Sequence, residues 1–516
     1  MDIPSLFMIP SAVSSGKVHS VFPNSTDADF DFNRDSDATR VNSEGLIERV
    51  GYYGSDLVVN GNFATNSDWN LGSGDWTISN NFAIANNSNN NLHTSNPVAT
   101  STGLKYKVTF ELVGVSQGYV RVGLSGLDAR QFNSDGTHTL DIVSDGNRYL
   151  YFRPFGFTGK LTNVSVVEVL GDRARLNYEI EGGLVNTKPS LLLEPQSTNV
   201  FPYSNFYGSG ALEVYSNGTQ THTVTNNYSI SPDGTKNAIR LQATVGSSSS
   251  DRVTLRDLVT AGASTFTFSV YAKSNTDENI TLGFHSGGGT PSTFVATSDW
   301  QRFTYTTTLT ATSNVGVEVR GGQTSSNVDV SLFGYQLENL SYATSYIPTN
   351  GSTQTRAAET CNGAGTSSIL PSEEGILYIE AANIANDSTD KKIAIGNGTN
   401  QNVVVLQYTT ISNQIRAFVS NGSLQFNAYE ALTDGTQFNK IGIRWKVNNF
   451  ALWVNGTQTD TDTSGTTFSA GTLSEFAFDD GGGNADFYGK IRDIRVYNTK
   501  EMTDSEVDIL LTKITS

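Results

Sequence analysis

Two prolines, Pro189 and Pro195, bracket the run Leu191-Leu192-Leu193. Proline fixes φ and donates no amide hydrogen, so the pair excludes a helix and leaves a short buried strand between them. That strand lies in residues 173–199, RARLNYEIEGGLVNTKPSLLLEPQSTN, between two segments that resemble each other. The stretch reads as a joint. Because it buries three leucines it differs from a flexible linker, which would be Gly/Ser-rich and bury nothing.

The flanking segments show the same order of short alternating runs. In the first, residues 106–113 (YKVTFELV), 119–124 (YVRVGL), 138–143 (HTLDIV), 149–155 and 161–170 carry apolar residues at every second position. In the second, 266–273 (FTFSVYAK), 280–284, 300–308 and 328–340 follow at similar spacing. Period-two runs separated by turn residues predict antiparallel sandwiches, here two copies of one design. Beyond the polar stretch 351–372 a third domain begins. Its run KIGIRWKVNNFALWVNG, residues 440–456, predicts a hairpin with Trp445 and Trp453 on opposite faces. Residues 502–516 predict the one helix, with a capping box from Thr503 and Glu506 and an apolar stripe of Val507, Leu510, Leu511 and Ile514.

The expected fold is therefore all-β: tandem antiparallel jelly-roll sandwiches with one short C-terminal helix. The expected boundaries are 1–54, an N-terminal region; 55–172, a first jelly roll; 173–199, the joint; 200–349, a second jelly roll; 350–372, a linker; and 373–516, a third sandwich. A chain of 516 residues needs several cores. Its 33 Lys and Arg against 50 Asp and Glu give a net charge of −17, which argues against nucleic acid as a partner. Cys361 is the only cysteine, so no intrachain disulfide forms. The N-terminus lacks the pattern of a signal peptide, and no apolar run approaches the ~20 residues that span a membrane.

The sequence offers little catalytic chemistry. His19, His93, His138, His222 and His285 are scattered, and no CxxC, HExxH, GxSxG or Walker pattern occurs. Asp27, Asp29, Asp31, Asp35 and Asp37 are closely spaced but out of register for a calcium loop, and read as a solvated turn offset by Arg34 and Arg40. Asp479 and Asp480 form at most a weak cation site, since adjacent acids on a strand point apart. The glycine runs at 287–289 and 481–483 are read as loops, and no enzyme and no cofactor are expected. Sugar binding suits sandwiches with exposed aromatic rings, which stack on pyranose faces. The candidates are Trp69, Trp76, Tyr119, Tyr151 and Trp300.

Several stretches resemble virion proteins of tailed bacteriophages. Residues 30–48 (FDFNRDSDATRVNSEGLIE), 175–178 (RLNY) and 189–203 (PSLLLEPQSTNVFPY) are similar to the N-terminal region of phage tail-fibre and related structural proteins. Residues 334–359 resemble the closing strand and exit of the carbohydrate-binding-module-like jelly roll that such proteins carry. Residues 445–456 and 489–507 are similar to the concanavalin A-like, laminin-G-like lectin fold. The resemblance implies a fibre or adhesin on the virion, commonly trimeric, that binds host-surface glycans and docks on other virion proteins through 1–54 and 173–199. It assigns docking to Arg34, Arg40, Leu191, Leu192 and Leu193. The module family usually places a calcium-holding Asp where this chain has Thr162. A head fibre or capsid-decoration protein is the alternative, and a polysaccharide depolymerase the lesser one.

Overall fold

The computed structural model describes residues 3–14, 16–50, 53–99, 101–125, 130–169, 173–181, 183–208, 210–260, 263–287, 291–309 and 311–516. Gly288 and Gly289 of the first glycine run and the boundary at residue 172 lie outside them. The described chain is all-β with antiparallel ladders and a single α-helix, Asp504–Thr515. It divides into two compact units, residues 51–171 and residues 1–50 with 172–516. No helix among the described residues is long and apolar enough to cross a membrane.

The larger unit contains two sandwiches. The middle one packs sheets of five strands each, in which Ser264–Ser274 lies between Gln301–Leu309 and Asn327–Glu338. Its core is closed by residues such as Phe201, Leu241, Val270, Val317 and Tyr335. The C-terminal one faces a five-stranded sheet against an eight-stranded sheet. Trp445 lies in the main core, whereas Trp453 faces the other way and is covered by the helix through Val507 and Leu511. Thr503 and Glu506 form the reciprocal cap that starts the helix.

The joint extends the C-terminal sandwich. Ser190–Leu193 pairs on one side with Arg175–Asn177 and on the other with Gly489–Asn498. All four of its residues are buried, because both faces of the strand are covered. Phe30 and Phe32 belong to the same core as Leu191 and Leu193, although the ladder partner is the C-terminal strand. The segment 38–41 meets the joint directly: the Val41 amide donates to Asn177 Oδ1 at 2.9 Å and the Tyr178 amide to the Val41 carbonyl at 3.0 Å.

Residues 350–372 are built into the fold, which corrects their reading as a linker. Gln354–Arg356 pairs with Ser197–Asn199, so the strands entering and leaving the middle sandwich form a stem. Thr360–Asn362 pairs with Phe30–Asn33 and buries Cys361, whose thiol burial pushes up. The polarity of this stretch belongs to an interior ionic cluster. Arg34 Nη1 donates to Glu359 Oε1 at 2.8 Å, Arg175 Nε donates to the same oxygen at 2.9 Å, and Arg175 Nη1 reaches Glu194 Oε2 at 2.7 Å. Arg356 Nη1 lies 3.0 Å from Glu194 Oε2, and Ser345 donates to Glu194 through both its amide and its hydroxyl. Buried charges persist only when paired in this way. Against the burial that disfavours its charge, Arg356 and Arg175 hold the Glu194 carboxyl well below the usual carboxylate range.

Four of the five proposed docking side chains are thereby placed inside. Arg34, Leu191, Leu192 and Leu193 are buried, and half-buried Arg40 is bonded to Glu48 at 2.7 Å. The four buried side chains hold the base together. Among the Asp27–Asp37 acids, Lys17 bonds Asp31, and His19 bonds Asp29.

Candidate functional site

In the smaller unit nine strands form one continuous ladder that folds over a single core. Two long strands, Thr102–Leu124 and Leu150–Val169, run antiparallel through most of it. Their register slips between Val113 and Tyr119, where the pair turns from one layer to the other. Gly118 makes that corner possible, with φ +66° and space so tight that a Cβ would sit 2.3 Å from the Gly156 carbonyl oxygen. Just past the corner Tyr119 is in register with Phe155, Arg121 with Arg153 and Gly123 with Tyr151. Strand Leu92–Thr94 adds His93 opposite Tyr151, and Trp69–Asn70 adds Asn70 opposite His93.

Alternation sends Val120, Val122, Leu124 and Phe152 into the core and these partners outward. Two stacked pairs result. The rings of Tyr119 and Phe155 are 4.8 Å apart at 20°, and those of His93 and Tyr151 are 4.5 Å apart at 17°. Tyr149 meets His93 edge-on at 6.0 Å. His93 Nδ1 donates to the Thr94 carbonyl at 2.9 Å, which fixes the ring. Four residues separate positions 151 and 155, about 13 Å along a strand. Between the two platforms stand Arg121, whose guanidinium lies 5.4 Å from the Phe155 ring centroid and 6.0 Å from that of Tyr119, and exposed Arg153. Partly exposed aromatic pairs with hydrogen-bond donors between them are suited to contacts with sugar rings.

Of the five aromatic candidates, the structure brings Tyr119 and Tyr151 to this one face and takes the tryptophans elsewhere. Trp69 and Trp76 are core residues, 7% and 2% exposed, packed on Phe63 and Phe157. Their indole nitrogens are spent on the Asn60 and Asn90 carbonyls at 3.0 and 2.7 Å. Burial of a large ring outweighs its use at a surface. Trp300, in the middle sandwich, donates to the Ile230 carbonyl at 3.2 Å and has the Lys273 ammonium 5.4 Å from its ring. Phe155, His93, Arg121 and Arg153 were missed. The signal was present: Tyr119-x-Arg121 and Tyr151-x-Arg153-x-Phe155 repeat one outward pattern on two strands.

Asp479 and Asp480 are buried in their own turn. Asp479 accepts from the Gly481 amide at 2.6 Å and from Asn362 at 2.8 Å, and Asp480 from the Gly482 and Asn484 amides at 2.9 and 3.1 Å. Among the described residues no group of three or more His, Cys, Asp or Glu is arranged to hold a metal. Thr162 donates to the Asn81 carbonyl at 2.9 Å.

No family model matches the chain. No curated protein matches it either. Among solved structures, the carbohydrate-binding module CBM40 of the Ruminococcus gnavus IT-sialidase, bound to α2,3-sialyllactose, is 18% identical with a TM-score of 0.25; the match covers 30% of this chain and 88% of the module. The tandem CBM22-1–CBM22-2 of Paenibacillus barcinonensis Xyn10C is 12% identical with a TM-score of 0.23, over 57% of this chain and 99% of that one. Likeness of this extent says nothing about what this chain binds.

Proposed function

We propose that the chain is a non-enzymatic glycan-binding protein, and that its place is on the virion of a tailed bacteriophage as a fibre or adhesin that holds host-surface polysaccharide. The observation that carries the binding half is the outward face of the smaller unit, where Tyr119 with Phe155 and Tyr151 with His93 form two platforms on adjacent strands. Aromatic area of this kind supplies stacking without catalysis. The virion half rests on the sequence resemblance of residues 30–48 and 189–203 to phage structural proteins, which also makes a homotrimer the expected assembly.

A glycan array probed with the intact chain tests the first half. Binding to a defined set of sugars is expected, with loss on Tyr119→Ala and Phe155→Ala. An array blank at every position would sink the adhesin reading. Antibody labelling of phage particles tests the second: label on tail appendages is expected. Label on the head would replace the fibre with a head fibre or capsid-decoration protein.

A further inference from the structure

The aromatic face carries an unusual pair of charges. Arg121 and Arg153 are directly opposite each other across neighbouring strands, and both are exposed. Like charges so placed repel and weaken the pairing. Opposite charges nearby ordinarily relieve that repulsion. Here the flanking outward positions are Tyr119, Gly123, Tyr151 and Phe155, and Gln131 is the partner of Arg121 on the far strand. Among the described residues, neither guanidinium forms an ion pair. The protein as a whole has a net charge of −17, so two uncompensated cations side by side run against its own composition.

We infer that this face selects acidic glycans, sugars bearing carboxylate or sulfate groups, with Arg121 and Arg153 as the specificity-determining residues. The inference rests on the glycan-binding reading and sharpens it. The rings of Tyr119, Phe155 and Tyr151 would take the sugar faces while the guanidiniums, between the two platforms, meet the anionic substituent. Guanidinium donors match carboxylate and sulfate oxygens bidentately, and a charge-assisted contact is about twice as strong as a neutral one. The cation–π contacts of Arg121 with Phe155 and Tyr119 hold that side chain over the platform before any ligand arrives.

The test uses the full chain and matched polymers. Polygalacturonate is compared with the same polymer after reduction of its carboxyl groups, and dextran sulfate with dextran. Acidic members are expected to bind roughly tenfold or more tightly than their neutral partners, with affinity falling as salt rises. The double variant Arg121→Gln, Arg153→Gln, at an unchanged melting temperature, is expected to erase that preference, so that acidic and neutral members bind alike. Which acidic polymer wins separates carboxylate from sulfate recognition. Equal binding of acidic and neutral members overturns the inference and leaves glycan binding standing. Failure of both, with the array blank, removes the underlying reading too. Preference that survives in the double variant, or equally tight binding of duplex DNA, overturns the assignment to this pair.

Discussion

One face of the smaller unit and two faces of the middle sandwich treat their surface cations differently. In the smaller unit, Arg121 and Arg153 stand beside open rings without a carboxylate partner among the described residues. In the middle sandwich, Arg240 lies 4.4 Å from the Tyr228 ring and is bonded to Asp329 at 2.8 Å. Arg256 lies 4.4 Å from the Tyr215 ring and 3.3 Å from Glu213, and Arg252 shares that ring within 4.0 Å of buried Glu318. Aromatic and cationic residues thus occur on both. Charge compensation is what distinguishes a face closed by its own partners from one left available.

Attachment separates them as well. The middle sandwich is stitched into the base: Asn199 Nδ2 donates to the Tyr335 and Ile347 carbonyls at 3.1 and 3.0 Å, and Glu194 takes both donors of Ser345. The largest expected effect follows. Excising residues 51–171 should leave a chain that folds, read by circular dichroism and a sharp melting transition. Excising 200–349 should prevent folding. Two soluble, cooperatively melting products would break the contrast.

Next in size is Glu194→Gln, which leaves Arg356 buried without its carboxylate and Arg175 with Glu359 alone. A loss of about 3–5 kcal/mol by denaturant unfolding at pH 7 is expected. The folded value of Glu194 lies below its ordinary 4.5, so its contribution is complete above that pH and is lost as the pH falls through the folded value. The variant should therefore lose less stability than the wild type on acidification below pH 4.5. Parallel acid profiles would count against the cluster.

Within the smaller unit, Trp69→Ala should cost about 3–5 kcal/mol. Tyr119→Ala should cost less than about 1 kcal/mol and abolish glycan binding. Reversed effects would exchange core and face. The smallest change is Arg153→Glu, which places a carboxylate opposite Arg121 and so copies the middle sandwich. A gain of a few tenths of a kcal/mol in stability is expected, together with loss of acidic-polymer binding by calorimetry.

Much of the architecture was legible in the sequence. Alternation located the central strand of both jelly rolls: residues 106–112 pair with strands at 136–143 and 161–168, as Ser264–Ser274 pairs with its two neighbours. The hairpin at 440–454 and the helix cap were equally readable, because their signals are local. The stretch 350–372 was misread because its polar residues are satisfied by partners more than a hundred residues away, such as Glu359 by Arg34 and Arg175. Composition cannot distinguish such a segment from solvated chain. At the site, ring type misled: the largest aromatics, Trp69 and Trp76, were drawn into the core, and the face was left to Tyr, Phe and His.

The ends of the smaller unit are hydrogen-bonded to each other, Asp56 in register with Val167 and Tyr53 with Val169. A pull on anything held by this unit is therefore shared between two adjacent strand ends at one edge. Both are drawn the same way, so the ladder between them carries little shear, and neither strand is peeled from its neighbour.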